Sequence, residues 1–454
     1  MTKTLEQRAV RSGRWVILGH LFSQALRLGS NLVLTRLLVP EMFGVMSVVT
    51  AVMFGLAMFS DVGLLQNIVQ SKRGEDLKYL NTAWTIQILR GFLIFFIALL
   101  LSAGLYFLGQ GGYLSIDTVY GNPELPLILA VVSIRSIISG FGSIQMLLLN
   151  RKLMLGKLTV IELTSQLAGL VFMLIWAWFQ RDIWALIYGG FATAIVKLIL
   201  SHSMNLGERC KFHWDTQAAY EIIHFGKWIF VSSILGFLLS QGDRLLLSLW
   251  VSSEMMGIYS IAFFLAMALK DVLKKMVSSV FYPMLSEVAR DDPSQLKETY
   301  YKIRAKVDVI TMLVAGLMAS MGQPVIELLY DERYRDAGWM LELLSWSIVF
   351  VGYSMAGVCL MALGNVKSST WLMFVATAFL YISLPVAYYF FGLYGAIVMI
   401  SLNYIIDIPS TFYMLRKNKL LNIRKEFRML PILMISYYLG LYLLEFMKER
   451  EILL

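Results

Sequence analysis

The sequence has little charge for its length. Only 15% of its 454 residues are charged and 58% are hydrophobic, whereas soluble globular chains carry about 25% charged residues. Mean hydropathy is +0.69, so too few charged side chains remain to cover a water-facing surface of this size. This composition excludes a soluble enzyme, a disordered protein and a nucleic-acid-binding domain, and we expect no nucleic-acid partner.

Cysteines and the common catalytic motifs are also scarce. The chain has 2 cysteines, which are too few for a disulfide framework or a cysteine metal site. His202, His213 and His224 lack the spacing of metal ligands. A glycine-rich phosphate loop and a nucleophile elbow are both missing. The sequence therefore predicts no cofactor, no metal site and no enzyme activity.

Long apolar runs recur along the whole sequence. A helix of about 20 apolar residues crosses the hydrocarbon core of a bilayer, which is ~30 Å thick. The N-terminal residues lead straight into such a run, so we expect no cleavable signal. We predict twelve transmembrane helices, at residues 14–36, 41–70, 80–108, 124–149, 157–179, 182–204, 222–250, 254–284, 304–329, 338–363, 367–390 and 394–415. A thirteenth run, 431–447, is borderline in length for a crossing.

Lys and Arg are distributed unequally between the two sides of the predicted membrane. Counted with the residues at their edges, the connections on the N-terminal side carry 23 Lys and Arg, and those on the opposite side carry 4. Positively charged loops face the cytoplasm, so the N-terminus and residues 416–430 are predicted to be cytoplasmic. The formal net charge of +9 thus has a topological explanation and does not require a polyanionic partner.

The chain matches itself without gaps at an offset of 213 residues. Gly13-Arg14-Trp15 aligns with Gly226-Lys227-Trp228, and Glu41-Met42-Phe43-Gly44 aligns with Glu254-Met255-Met256-Gly257. The match has nine identities in 35 positions, and these include tryptophan, glutamate and three glycines. Apolar composition alone aligns leucines, but it does not bring these residue types into register. We therefore interpret the match as an internal repeat.

The repeat relates the first predicted span to the seventh. An even number of crossings separates them, so both copies point the same way, as in transporters whose halves are related by an axis along the membrane normal. The predicted fold is all-α: a polytopic membrane protein with two pseudo-symmetric six-helix bundles around a central cavity, plus a further helix. Its segments are a cytoplasmic N-terminal segment (1–13), an N-terminal bundle (14–204), a cytoplasmic linker (205–221), a C-terminal bundle (222–415), a basic cytoplasmic segment (416–430) and the further helix (431–447).

Four arginines lie near the middle of predicted spans, where a lipid-facing charge costs about 2.5–3.5 kcal/mol. They are Arg27, Arg90, Arg135 and Arg244. Four such costs are comparable with the net stability of a whole domain, so we expect these side chains to point inward. There they would form a cationic site, because guanidinium groups bind phosphate oxygens in a bidentate manner. The alternative is that each arginine pairs with a carboxylate and only locks helices together.

The first span carries a polar stripe. His20, Gln24, Arg27 and Asn31 are spaced four, three and four residues apart, which places them on one helix face. By the repeat, Asn31 corresponds to Arg244, which lies on a serine-lined face of the seventh span. We therefore add Gln24 and Asn31 to the predicted substrate site, between two stripes that face each other across the cavity.

Other charged residues within the spans have two interpretations. Asp61, Glu162 and Asp243 are candidates for coupling-ion carriers, although buried partners of the arginines are the more common role for such carboxylates. Lys270 and Lys274 would collect an anionic headgroup at the cytoplasmic mouth of the cavity. Alternatively, these lysines belong to a long helix that leaves the bilayer, where their side chains snorkel to the surface.

Several short motifs, in this order and spacing, resemble the polysaccharide transporter family, the Wzx-like flippases of the multidrug/oligosaccharidyl-lipid/polysaccharide exporter superfamily. The resemblance covers residues of about 10–415. It is carried by Thr35-Arg36-Leu37-Leu38-Val39-Pro40-Glu41-Met42-Phe43-Gly44, Ser60-Asp61-Val62-Gly63-Leu64, Leu149-Asn150-Arg151-Lys152, Ser240-Gln241-Gly242-Asp243-Arg244, Gly257-Ile258-Tyr259-Ser260 and Leu328-Leu329-Tyr330-Asp331-Glu332-Arg333-Tyr334.

The resemblance implies a V-shaped pair of six-helix bundles in the bacterial cytoplasmic membrane. It also implies an activity: moving undecaprenyl-diphosphate-linked oligosaccharides to the outer leaflet for capsule, exopolysaccharide or O-antigen assembly. The family's cationic cavity would correspond by location to the four mid-span arginines. Expected partners are the lipid-linked oligosaccharide, membrane lipid, and the polymerase and other polysaccharide assembly proteins.

Two other function classes compete with this interpretation. A drug/cation antiporter of the MATE type favours carboxylates over arginines in its cavity, whereas a peptidoglycan-precursor flippase shares the arginines and is separated only by local motifs. A membrane glycosyltransferase, polymerase or ligase needs catalytic residues in a sizeable external loop. The longest external connection, 109–123, has one ionisable residue, Asp117.

Overall fold

The computed structural model describes residues 5–152, 154–204, 208, 210–276, 281–363 and 366–449. Within these ranges all regular structure is helical, as a lipid-embedded backbone that must satisfy its own hydrogen bonds requires. The helices are α1 (Leu5–Leu37), α2 (Pro40–Phe59), α3 (Leu64–Gln70), α4 (Leu77–Gln110), α5 (Leu125–Gly140), α6 (Gln145–Arg151), α7 (Leu155–Phe179), α8 (Trp184–Ser203), α9 (Thr216–Leu247), α10 (Ser253–Met276), α11 (Tyr282–Asp291), α12 (Leu296–Leu329), α13 (Ala337–Ser345), α14 (Phe350–Ala362), α15 (Val366–Leu402), α16 (Asp407–Lys417), α17 (Ile423–Glu426) and α18 (Leu430–Glu449).

Helices occupy every predicted span, and the all-α polytopic class is confirmed. Among the described residues, nine helical stretches are long and apolar enough to cross a membrane, and α5 with α6 forms a tenth that bends by 65°. One of the nine, Thr370–Lys417, is 48 residues long and contains two predicted spans. Gly392 breaks it with φ 61° and ψ −152°, at the turn predicted between residues 390 and 394. The borderline run 431–447 is helical and forms most of α18.

The described part of the chain divides into two compact units that share α9. The first unit extends to Phe237 and takes in Ser248–Glu254, and the second contains Leu238–Leu247 and the chain from Met255 onwards. The start of α9 therefore belongs to the first unit, where Ala218 and Ile222 lie in its hydrophobic core. The predicted domain boundary in the linker 205–221, and the arrangement of the two halves around a cavity, stay predictions.

A family-like motif in the first unit has a structural role. The Arg151 guanidinium donates hydrogen bonds to the carbonyl oxygens of Ile68, Val69 and Ser71 at 2.7, 3.2 and 2.6 Å. These carbonyls lie at the end of α3, where helices leave acceptors unsatisfied. At the other end of α3, Gly63 adopts φ 62°, a conformation that favours glycine. The two motifs thus hold a short helix that follows the second span.

The connection between the second and third spans is tied to the start of α9. Arg73 lies 2.8 Å from Asp215 and 3.4 Å from Glu221. The hydrogen bond from Arg73 holds the pKa of the Asp215 carboxyl below its usual range. This contact fixes the point at which the long shared helix begins.

Acid should weaken this contact. An aspartate whose folded-state pKa is lowered stabilises the fold above its unfolded pKa, about 3.9, and that stabilisation is lost as the pH falls through the folded value. We expect hydrogen exchange of residues 210–221, corrected for its intrinsic rate, to accelerate below about pH 4. Asp215→Asn should exchange faster already at neutral pH, whereas the exposed Asp117→Asn should behave as wild type. Equal exchange in Asp215→Asn and wild type at neutral pH would contradict this role.

The second unit contains a buried charge network that was not predicted. Arg304 of α12 is 1% exposed and lies 3.2 Å from Asp308, and its guanidinium also pairs with Glu426. Tyr300 accepts a hydrogen bond from Arg304 at 3.0 Å, and Tyr301 donates one to Glu426 at 2.7 Å. Every member of this network is buried. Glu426 comes from the segment 416–430, so the network fastens that segment to α12.

Helix α18 packs against α12 next to this network. A β-carbon at Gly316 would lie 2.0 Å from Ser436 Oγ, and one at Gly440 would lie 1.9 Å from Ser320 Oγ. Small residues let transmembrane helices approach closely. The thirteenth predicted segment is therefore an integral part of the second unit.

Removing the arginine should destabilise the second unit strongly. Arg304→Met leaves two buried carboxylates without their cation, and breaking a buried pair in this way costs about 3–5 kcal/mol. Lys302→Met, on an exposed position of the same helix, should change stability by less than about 0.5 kcal/mol. Thermal unfolding of the purified variants in detergent measures the difference. Equal unfolding midpoints for the two variants would show that the network does not hold the unit together.

Candidate functional site

The polar stripe of α1 retains unsatisfied polar groups. Arg27 is exposed, and Gln24 and Asn31 are half-buried. The buried atoms Gln24 Oε1 and His20 Nε2 have no hydrogen-bond partner among the described residues. Because buried polar groups are normally satisfied, this stripe is suited to water or to a polar ligand.

A different face of α1 is occupied by a neighbouring helix. Ser23 donates a hydrogen bond to Gln166 of α7 at 2.6 Å. A β-carbon at Gly19 would lie 2.2 Å from Thr159, also of α7. These contacts fix the orientation of α1 within the first unit.

Arg90 makes an ion pair and two hydrogen bonds within the protein. Its guanidinium lies 3.7 Å from Asp61 and donates hydrogen bonds to Ser60 Oγ at 3.1 Å and to the Ala57 carbonyl at 2.5 Å. These groups lie at and just beyond the end of α2, so Arg90 of α4 caps that helix. The structure thus places Asp61, a predicted charge partner, beside one of the four arginines.

Arg135 has no such partner. It lies on α5 against Gly190 of α8, where a β-carbon would come within 2.6 Å of its guanidinium. No carboxylate and no hydrogen-bond acceptor among the described residues pairs with it. One turn further along the same two helices is a cavity of about 230 Å³ whose polar lining includes Ser139 and Lys197. The guanidinium therefore lies close to a polar cavity, although Arg135 itself is not part of the lining.

The expectation that Glu162 is a buried partner of an arginine is wrong. Glu162 lies 3.8 Å from Lys197, and the two side chains are 54% and 44% exposed. Helices α7 and α8 are adjacent in this unit, and the two side chains meet where both are about half exposed. Glu162 is thus a charge partner of a lysine, and Arg135 has no counterion within the described ranges.

The predicted residues on α9 lie in the second unit. Asp243 is 4% exposed and accepts a hydrogen bond from Tyr259 at 2.5 Å. Arg244 donates a hydrogen bond to Gln241 at 2.7 Å, and its guanidinium lies 4.4 Å from the ring centre of Phe263. These two contacts fix the position of the guanidinium on α9.

Lys270 is buried within the second unit. It is 4% exposed, and its ammonium group lies 4.6 Å from the ring centre of Tyr404. The alternative that Lys270 snorkels to the surface is therefore wrong. The side chain of Lys274 lies outside the described residues. Whether the polar stripes of α1 and α9 face each other stays a prediction.

Asp407 lines a cavity of about 150 Å³ together with Tyr404 and Thr411. It is not among the site residues predicted from the sequence. Its buried Oδ1 atom has no hydrogen-bond partner in the described ranges. By contrast, Glu342 accepts a hydrogen bond from the backbone N–H of Gln323 at 3.0 Å. The position of Asp407 within a predicted span could have identified it, because a carboxylate in the middle of a span needs a partner or a cavity.

Comparison with known proteins identifies the family. The profile of a family described as "Polysaccharide biosynthesis protein" matches residues 33–338, which is more than half of the chain. The lipopolysaccharide biosynthesis protein WzxC of Escherichia coli (strain K12) is 23% identical over 343 residues, covering 75% of this chain and 67% of that protein.

Two solved structures have a similar fold. The lipid II flippase MurJ in an inward closed conformation gives a TM-score of 0.69 at 15% identity, covering 94% of this chain and 92% of MurJ. An inward-facing multidrug resistance MATE family transporter gives 0.66 at 12% identity, covering 89% of this chain and 98% of the transporter. At such identities the likeness shows the fold, that of polytopic helical transporters. Together with the profile match, it shows that this chain is a multi-pass membrane protein that belongs to the polysaccharide biosynthesis protein family of Wzx-like transporters.

Proposed function

We propose that this protein is a flippase for undecaprenyl-diphosphate-linked oligosaccharide units. It moves them from the inner to the outer leaflet of the bacterial cytoplasmic membrane, with its N-terminus in the cytoplasm. The units serve the biosynthesis of capsule, exopolysaccharide or O-antigen. Family membership supports a role in polysaccharide biosynthesis. The charged groups within the spans support an anionic, diphosphate-linked substrate.

The observation that carries this proposal is the guanidinium of Arg135, which has no carboxylate partner in the part of the chain that the structure describes. The two predicted carboxylates of the first unit are engaged elsewhere, Asp61 by Arg90 and Glu162 by Lys197. An arginine in the middle of a span without a carboxylate costs about 2.5–3.5 kcal/mol in lipid. A substrate that supplies the missing negative charge accounts for its presence.

A diphosphate fits these groups chemically. Transferring an ionised headgroup out of water is prohibitive unless it is paired and hydrogen-bonded, and arginine provides a planar fork for phosphate oxygens. We assign substrate contacts to Arg27, Arg135 and Arg244, with Gln24, Asn31, Lys270 and Lys274 as further polar and cationic contacts. Arg90 acts through the helix end that it caps. The lipid tail stays in the bilayer while the headgroup crosses.

The mechanism we propose is alternating access between two units that each contribute cationic groups, as in transporters built from repeats. Arg27 and Arg135 belong to the first unit, and Arg244 and Lys270 to the second. A drug/cation antiporter would concentrate accessible carboxylates instead. Asp61 and Asp243 are held by Arg90 and Tyr259, whereas Asp407 lines a cavity of the second unit.

Deletion of the gene tests the function directly. We expect surface polysaccharide to disappear and lipid-linked repeat units to accumulate on the cytoplasmic side, and the wild-type gene on a plasmid to restore export. Arrest of peptidoglycan synthesis with intact surface polysaccharide would support the peptidoglycan-precursor alternative and overturn this proposal.

Replacing the cationic groups should abolish complementation. Arg27→Ala, Arg135→Gln and Arg244→Ala each remove a charge from the proposed headgroup path, and truncating one partner of a desolvated charge pair costs about 2–5 kcal/mol. We therefore expect export to fall by more than about tenfold at normal membrane levels of the protein. Quantification of surface polysaccharide measures the effect.

The matched control is Arg181→Ala, which removes an exposed arginine at the end of a span and should leave export unchanged. Full complementation by Arg27→Ala, Arg135→Gln and Arg244→Ala together would show that the cationic-site assignment is wrong.

A further inference from the structure

The segment between α16 and α18 has a strongly basic surface. Six basic side chains in residues 416–428 are all exposed: Arg416, Lys417, Lys419, Arg424, Lys425 and Arg428. The one carboxylate of this stretch, Glu426, is 3% exposed because it turns inward to pair with Arg304. The fold thus hides the only negative group and leaves six positive ones on the surface.

The backbone of this segment is fixed by the second unit. The N–H of Asn422 donates a hydrogen bond to the Tyr301 hydroxyl at 2.8 Å, and Lys297 donates one to the Leu421 carbonyl at 3.0 Å. Leu415 and Leu420 are buried. With its inner side anchored in this way, the segment presents its basic side chains outward as a preformed surface.

Apolar side chains lie among the basic ones. Ile423 is 61% exposed and Phe427 is 43% exposed. Exposed apolar groups interspersed with Lys and Arg are typical of segments that lie in the membrane interface, where the apolar groups enter the acyl boundary and the charges meet the headgroups.

The neighbouring helices place this surface at headgroup level. The span-forming stretch Thr370–Lys417 ends where the segment begins, and the next stretch starts at Ile423. Clusters of four to eight Lys and Arg next to a transmembrane helix bind anionic lipids. A loop that only sets topology requires positive charge on one side, but it does not require a buried carboxylate or exposed Ile423 and Phe427.

We infer that residues 416–428 form a docking surface for anionic phospholipid headgroups of the membrane leaflet in which they lie. The basic side chains bind the headgroup phosphates, Ile423 and Phe427 enter the acyl boundary, and the pair of Arg304 with Glu426 holds the segment in the binding orientation. This surface consists of other residues than those assigned to the transport path, and the inference does not depend on the transport proposal.

Photocrosslinking of the full-length protein in bilayers tests this inference. Photoactivatable phosphatidylglycerol and photoactivatable phosphatidylcholine are compared as probes, and labelled peptides from residues 416–430 are quantified by mass spectrometry. The test variant is Arg424→Gln/Lys425→Gln/Arg428→Gln. The matched control, Lys72→Gln/Lys78→Gln/Lys211→Gln, removes three exposed lysines from other connections on the same predicted side.

Phosphatidylglycerol should label this segment of the wild-type protein more than phosphatidylcholine does. Each basic residue near the surface contributes about fivefold to binding of anionic lipid, so the test variant should lose at least about tenfold of its phosphatidylglycerol labelling. The control variant should keep it, and phosphatidylcholine labelling should not change in either. High salt screens exposed charges, so it should also reduce the phosphatidylglycerol labelling of the wild-type protein.

Three results would overturn the inference. The first is equal labelling by the two lipids, and the second is unchanged phosphatidylglycerol labelling in the test variant. The third is complete displacement of the label by undecaprenyl phosphate at a small fraction of the phosphatidylglycerol content, because it would assign the surface to a carrier lipid. Loss of export in the arginine variants of the transport path leaves this labelling unaffected, so the two proposals fail separately.

Discussion

A guanidinium in an apolar helix requires a partner, and this requirement organises much of the molecule. Three arginines of the described chain differ in how far they satisfy it. Arg304 is buried among carboxylates and tyrosines. Arg90 donates its hydrogen bonds to the end of a neighbouring helix. Arg135 has no acceptor among the described residues. The first two arginines are explained by the structure alone. Only the third calls for something that is not part of the protein, which is why the transport proposal depends on it.

The arginines near the predicted cytoplasmic ends of the spans anchor one segment of the chain to another. Arg151 holds the end of α3, Arg73 holds the start of α9, and Arg304 holds the segment that leads into α18. Arg151 makes three hydrogen bonds to the element that it holds, Arg73 makes two and Arg304 makes one, as a planar group with five donors allows. Positive charge on this side therefore contributes to topology and to tertiary structure through the same residues.

The sequence predicted the spans well because length and apolar composition largely determine a membrane helix. Helix α2 begins at Pro40 and α10 begins at Ser253, which is the offset of the predicted repeat, but the repeat itself stays a prediction. The local sequence could not predict where a charge finds its partner. Glu426 stands within a run of basic residues and looks solvated, yet its partner Arg304 is more than a hundred residues away in the chain. Glu162 pairs with Lys197 rather than with an arginine, because the packing of α7 on α8 decides its partner.

Helix α9 connects the two units as one continuous element, and this constrains any exchange of access between them. Its first turns are anchored in the first unit by Arg73 and by core packing, while Arg244, near its end, belongs to the second unit. If the units move as the proposed function requires, α9 must either bend or carry part of one unit with it. Gly236 lies one residue before the boundary at Phe237, and a glycine inside a helix costs about 0.5–1 kcal/mol relative to alanine. Of the three glycines in α9, Gly226, Gly236 and Gly242, Gly236 lies nearest to the boundary, where bending would leave both anchored ends undisturbed.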